Sequence, residues 1–337
     1  MRLVSALVAF GFLLLSAPAP GLAWGATGHR LVSGVAAEHL PPFVPAFVRS
    51  PEAIAEITAL GPEADRLKGS GKMWDEDEDH GHFIDIGDDG KVAGVVDLTQ
   101  LPPSREAYDT ALRAVNTDQY KMGYLPYQII DGYLQVITDF GYWRADVVGE
   151  KSGATDADKA FFAADRRLRE ILTLRDIGYW SHFVGDASQP LHISVHYNGW
   201  GNFPNPNHYS DSRTIHSRFE SALVSATATD AGVSAHLAPY VPSTAPIEAR
   251  VAAYLQASLA GVPRVYQLEA AGAIDARSPE AADFAMARIA AGSSMLRDLI
   301  ADAYTASASK SIGYPTMSVK DIESGKVTLT RKMFGSD

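Results

Sequence analysis

His182 and Asp186 stand four residues apart in Tyr179-Trp180-Ser181-His182-Phe183-Val184-Gly185-Asp186, and His216 and Glu220 repeat the spacing in Ile215-His216-Ser217-Arg218-Phe219-Glu220. A four-residue step on a helix puts two side chains on one face, so each pair offers a nitrogen and a carboxylate oxygen to the same cation. Facing helices that carry such pairs can hold metals inside a bundle. A single pair is weak ground, because many are surface residues or satisfied core residues. Here Pro190 breaks the first helix and His192 follows it, between the two pairs. Upstream, His82 opens the apolar segment His82-Phe83-Ile84-Asp85, and Asp65 lies in Pro62-Glu63-Ala64-Asp65-Arg66-Leu67-Lys68. His80 competes with His82 as a ligand, but it belongs to the acidic stretch that starts at Asp75 and reads as a solvated loop of like charges. The chemistry open to imidazoles and carboxylates around metal ions is hydrolysis, with the metals polarising the substrate and activating water.

The first residues read as an export leader: Arg2 gives the positive start, Leu3 to Leu15 an apolar run, and Gly21-Leu22-Ala23 a small-residue cleavage site. The run is shorter than the roughly 20 residues of a bilayer span, and Pro18 and Pro20 would interrupt any extension of it. Residues 1–23 are therefore expected to be a signal peptide, and the mature protein to be periplasmic or extracellular. Without a single cysteine, an exported chain has no disulfides, and thiolate ligands are excluded. Cleavage after Ala23 would leave Trp24-Gly25-Ala26-Thr27-Gly28-His29 at the front. The free amine and carbonyl of Trp24 could then chelate a metal in a five-membered ring beside His29; alternatively, Trp24 only anchors the N-terminus in the core.

With these residues in place, the chain resembles the superfamily that joins the secreted single-strand-specific zinc nucleases of fungi and plants, the nuclease S-one/P-one family, with the bacterial zinc-dependent phospholipases C. The likeness runs from Trp24 to Glu220. It implies an all-α, single-domain, multi-helix phospholipase C/nuclease-like fold with a trinuclear metal site and three zinc ions as cofactors. By this resemblance Asp65, His82, His182 and Asp186 bind the first zinc, and His192, His216 and Glu220 the second. The amine and carbonyl of Trp24, His29 and a bridging Asp186 bind the third. The implied reaction is attack of a zinc-bound hydroxide on a phosphodiester, with the third ion stabilising the leaving oxygen. Asp65 would also orient or deprotonate the water, and Asp85 would brace His82 or a metal-bound water. The nucleases place an arginine three residues after their first aspartate, near the scissile phosphate. This chain has Lys68 there, a point charge without the bidentate fork, or else an ordinary surface lysine.

Trp24 and His29 are five apart and His192 and His216 are 24 apart, spacings closer to the nucleases than to the best-known phospholipases C. The interval contains His196-Tyr197-Asn198-Gly199-Trp200-Gly201-Asn202-Phe203-Pro204, in which Tyr197, Trp200 and Phe203 could stack on bases and Asn198 could bond their edges. The same rings could instead pack under a loop or meet a lipid surface. Glu220 stands where the nucleases usually have aspartate and the phospholipases glutamate, and the missing cysteines also fit the phospholipases. Single-stranded nucleic acid, cut to 5′-phosphate products, is the expected substrate; phospholipid headgroups are the alternative. A non-catalytic zinc-binding protein is disfavoured, since structural zinc sites are closed and commonly use thiolates. No obligate protein partner is evident.

The elements that must position these residues are helices. Apolar residues recur at helical spacing over Leu31 to Leu40, Ala107 to Val115, Leu125 to Phe140, Ala157 to Ser188, Ser217 to Ala228, Ile247 to Leu259 and Ala281 to Tyr304. Thr328 to Thr330 is the one plausible strand. A hydrophobic fraction of 46% is that of a water-soluble domain with a substantial core. Ligand candidates spread from residue 24 to residue 220 tie the chain into one phosphodiesterase domain, 24–316, followed by a tail, 317–337, whose packing the sequence does not decide. The formal charge of −11, with no Lys/Arg-rich stripe, opposes a broad duplex-DNA groove. A phosphate substrate would need positive charge supplied locally, as metal ions can do.

Overall fold

A computed structural model describes residues 24–335. The chain is predominantly helical, as the apolar spacing requires. The helices that frame the site are α1 (Gly25–Glu38), α2 (Pro51–Leu60), α3 (Leu125–Ser152), α4 (Asp156–Asp186), α5 (Ile247–Leu259), α6 (Val262–Ala270) and α7 (Pro279–Ser307). The α5 bounds match the sequence expectation, and α3 runs on well past Phe140. No helix was expected at α2 or α6, which are short. Both nevertheless open on a proline in the first turn, where a missing N–H costs nothing, and Ser50 caps α2 by accepting from the Ala53 amide at 3.1 Å.

The longest pair, α3 and α4, forms an antiparallel hairpin. The Thr155 hydroxyl accepts from the Asp158 amide and the Asp158 carboxylate accepts from the Thr155 amide, a capping box that starts α4 sharply after the turn. The helices approach closely because Gly132 has no side chain: a Cβ there would come within 2.0 Å of the Trp180 ring. Helix α1 packs on α2, α4 and α7. Its buried face includes Val32, Val35 and Ala36, and the apolar core runs on through Ile177, Phe183, Ile289 and Leu296.

One expectation fails. Thr328 to Thr330 is not a strand; Leu329 is instead buried, and its carbonyl accepts from the Ala154 amide. The strands among the described residues are two short antiparallel pairs, Lys91–Val92 with Val96–Asp97 and Ser311–Ile312 with Met317–Ser318. The second pair crosses a boundary at 316. Beyond it, Val319, Ile322 and Leu329 pack with Ala145 and Phe162, so this part of the tail covers the far end of the α3–α4 hairpin. A three-residue segment such as Thr328-Leu329-Thr330 carries too little periodicity to separate a strand from a buried coil. No described helix is long and apolar enough to cross a membrane. The expected leader, 1–23, lies outside the described residues.

Candidate metal centre

The ends of elements supply the ligands. Asp65, His82 and His192 each lie on a 3-10 turn, Ala64–Leu67, Asp79–His82 and Pro190–Ile193. His29 comes from α1, and His182 and Asp186 from the last turns of α4. His216 lies in the short α-turn Ile215–Ser217, which widens into a π-helical stretch, Arg218–Leu223, that carries Glu220. Such wide turns have poor hydrogen-bond geometry and recur at functional sites. All of these side chains are buried except Asp65, which is partly so.

They meet in three groups: His29, His182 and Asp186; Asp65, His82 and His182; and His192, His216 and Glu220, with the ligand atoms of each group within 4.8 Å of one another. Asp186 joins them. One of its oxygens is 3.1 Å from His82 Nδ1, and the other lies 3.5 Å from His29 Nε2 and 3.8 Å from His192 Nδ1. His29 stacks on His182 with ring centroids 3.7 Å apart. Of the expected side chains, Asp65, His29, His82, His182, Asp186, His192, His216 and Glu220 therefore all come to one place.

The hydrogen bonds say which atoms are available. The Nδ1 atoms of His182, His192 and His216 face the carbonyls of Gly61, His82 and Tyr197 at 2.9, 2.8 and 2.9 Å. A carbonyl only accepts, so each Nδ1 carries a proton, and in the neutral ring Nε2 presents a lone pair. Two of those lone pairs point at another acceptor, His216 Nε2 at 2.8 Å and His192 Nε2 at 3.4 Å from the same Glu220 oxygen, while His182 Nε2 lies 3.0 Å from His82 Nδ1 and 3.4 Å from Asp186. Acceptors converge in this way only if a proton or a cation lies between them. A second-sphere carbonyl on each Nδ1 is also how metal-binding histidines are oriented. Neither ring nitrogen of His29 has a hydrogen-bond partner, although the residue is wholly buried. An unmade buried bond costs about 1–3 kcal/mol, so His29 weakens the fold unless a ligand engages it. The donor set thus fits borderline divalent cations such as zinc.

Electrostatics agree. Burial lowers His29, His82 and His182 well below the ordinary histidine value, which keeps them in the neutral, ligating form. Burial, reinforced by the Asp65 charge, pushes Asp186 well above the carboxylate range, a position that only nearby positive charge relieves. Burial would also raise Glu220, but His216 and His192 outweigh it and hold the carboxyl down at about 2.

The remaining expected residues divide. Trp24 is fully buried, its indole donating to the Gly185 carbonyl at 3.0 Å and to Ser188 Oγ at 2.8 Å. Gly28 allows this approach, since a Cβ there would meet the Trp24 Cβ at 2.7 Å. The anchoring role of Trp24 is therefore observed, and its carbonyl accepts from the Gly28 amide; the cleavage that would free its amine involves residues outside those described. Lys68 is no free surface lysine. Its ammonium lies 2.6 Å from Asp65, and although burial works against it, Asp65 and Asp186 raise its pKa above the usual lysine value.

Asp85 follows the 3-10 turn that carries His82, in an extended stretch whose Ile84 and Ile86 are tied to the His192–Val195 stretch. Asp85 makes no hydrogen bond or ion pair with the ligand set, and burial raises its carboxyl to about 7. Trp200 is not a platform for a base either. It is 6% exposed, stacked on His196 at 3.7 Å and wedged against Tyr209 and Tyr266. A ring on a Gly/Pro-rich loop reaches the core readily because its area is worth most there. Tyr197 (48% exposed) and Phe203 (43%) do face solvent. Asn198 keeps a buried, unpartnered Oδ1. The acidic stretch is a short helix, Lys72–Asp77, leading into the 3-10 turn, and His80 stays out of the ligand groups, edge-on to Phe83 and Tyr120.

One residue was not anticipated. Gln189 is fully buried, and its amide nitrogen lies 3.3 Å from Glu220 and 3.4 Å from His216 Nε2. The only sign in sequence is its position before Pro190, where it caps the turn that bears His192. No protein-family model, curated protein or solved structure matches this chain.

Proposed function

We propose that the chain is a zinc-dependent phosphodiesterase of the nuclease S-one/P-one and phospholipase C type, acting on single-stranded nucleic acid. The observation that carries this reading is the convergence of three adjoining ligand groups, with Asp186 of the first also 3.1 Å from His82 of the second, all built from residues that the resemblance assigns to three zincs. An arrangement with shared carboxylates and no thiolate suits a reactive polynuclear site better than a closed structural one. In this reading the leader is removed in export and the amine of Trp24 completes the group around His29.

Zinc ions in these groups supply the charge that activates water and offsets the negative diester. The chain's own part is positional. Carbonyls of Gly61, His82 and Tyr197 fix the three imidazoles, so little reorganisation accompanies binding. Asp65, Asp186 and Glu220 bring three negative charges against the one positive charge of Lys68, so divalent ions leave the site net positive despite the acidic chain. Lys68 reaches a phosphate oxygen as a point charge. Its bond to Asp65 assigns that carboxylate to ligand and ion-pair duty before proton transfer. Tyr197, whose backbone holds His216 and whose ring faces solvent, takes a base beside the metals. The two exposed rings of the loop, Tyr197 and Phe203, are also what a lipid surface would meet, which keeps the phospholipase reading in view.

The test presents purified protein, with and without chelator, with single-stranded DNA, RNA and phosphatidylcholine in parallel. Chelator-sensitive release of 5′-nucleotides is expected. Diacylglycerol release instead would transfer the assignment to phospholipase C, and activity indifferent to chelation on every substrate would reject both.

A further inference from the structure

Gln189, buried and outside the ligand set, sets its side-chain amide beside Glu220 and His216, and its backbone carbonyl accepts from the amide of His192. Its Oε1 accepts from the Leu191 amide at 2.6 Å and so caps the turn Pro190–Ile193, which presents His192. That bond fixes the orientation of the amide: the oxygen must face Leu191 N–H, and the NH2 must face the other way. On that side lie Glu220 at 3.3 Å and His216 Nε2 at 3.4 Å. The same Glu220 oxygen is the one approached by both histidines, while its other oxygen has no hydrogen-bond partner.

Once a cation takes the lone pairs of His192 and His216, neither Nε2 can donate to Glu220, since both Nδ1 protons are committed to carbonyls. The amide of Gln189 is then the N–H donor left to that oxygen among the contacts of the described residues. We infer that Gln189 is a positioning residue for the His192–His216–Glu220 group, holding the Glu220 carboxylate in its rotamer and setting its strength as a ligand. The inference rests on that group binding a metal. Outer partners of this sort typically alter metal affinity by about 10–100-fold.

The experiment is a zinc titration of the full chain against a competing chromophoric chelator, for the unaltered protein, Gln189→Met, Glu220→Ala and the double variant. Gln189→Met should weaken one ion by about 10–100-fold and leave the others as they were. In the Glu220→Ala background the same change should have no further effect on zinc, because the residue acts through Glu220. Unchanged affinities in Gln189→Met, an equal loss at all ions, or a full additional loss in the double variant would each overturn the proposal; the last two would indicate that the amide serves only as a cap. Should Gln189→Met fail to fold, Gln189→Glu keeps the acceptor for Leu191 and removes the donor. A change confined to one ion then supports the proposal, and unaltered binding overturns it. An unaltered protein that binds no zinc would remove the reading of the whole site, a result distinct from a failure of Gln189 alone.

Discussion

Chelation should lower the melting temperature of this protein sharply. Five imidazoles and three carboxylates are gathered from elements spread over nearly two hundred positions, and several of their polar atoms lack partners. A ligand that binds only the folded chain stabilises it by about 4 kcal/mol when free ligand exceeds its dissociation constant about a thousandfold. If each of the three groups held an ion, the upper bound would be on the order of 12 kcal/mol together, lowered because two of the groups share His182. For a chain of this size, 1 kcal/mol moves the midpoint by roughly 2 °C, so the shift between zinc-loaded and chelated protein should approach roughly 20 °C. Coupling through Asp186 and weak binding by the unfolded histidines will reduce that figure. The assay is differential scanning calorimetry with zinc, with a chelator, and with zinc restored, alongside metal analysis of the loaded sample. The shift should shrink only as pH falls well below about 6.5, because an imidazole must shed its proton to bind a metal and burial keeps His29, His82 and His182 neutral further into the acid range. A shift of only about 2 °C, with fewer than two tightly held ions per chain, would refute the reasoning, because the orphaned groups would then be satisfied without cations.

Lys68→Met should reduce turnover while zinc content stays the same; an unchanged rate would leave Lys68 as a partner of Asp65 alone. Within the aromatic loop the two kinds of ring should separate: Trp200→Ala should cost about 3–5 kcal/mol of stability, whereas Tyr197→Ala should leave the melting curve nearly unchanged and raise KM for single strands. Equal effects in both assays would erase the distinction between packed and exposed rings. Asp146, fully buried between α3 and α4, has its carboxyl raised to about 8 by burial and by Asp165. Between an unfolded value near 4 and about 8 the folded chain holds a proton that the unfolded chain has given up, so this group's contribution falls as pH rises through that window. Asp146→Asn should therefore stabilise the protein at pH 9 relative to pH 5, as read by urea unfolding; an identical difference at both pH values would argue against a protonated Asp146.

The full ligand set with His29, Asp65, His82 and His192 was implied only by the family resemblance, whereas the pairs His182–Asp186 and His216–Glu220 were legible because a four-residue step on a helix face works before any tertiary contact exists. The helical class was legible for the same reason. What could not be read was whatever depends on the direction of a side chain leaving irregular backbone. Asp85 looked poised to support His82, yet the two make no hydrogen bond or ion pair, and nothing in four residues distinguishes the turn and extended stretch that carry them from a helical turn in which they would be neighbours. Trp200, Tyr197 and Phe203 are indistinguishable by type and lie within one loop, but only Trp200 finds Tyr209 and Tyr266 beneath it. Gln189 was hidden for a different reason. Its importance comes from a division of hydrogen-bonding capacity, oxygen to Leu191 and nitrogen to Glu220, and such a division exists only after α4, the Pro190 turn and the π-helical stretch have been brought together. Paired candidate ligands written in residue spacings are thus the part of a fold most open to reading from sequence. The groups that hold the ligands still are the part least open to it, because their partners are carbonyls and amides that every residue carries.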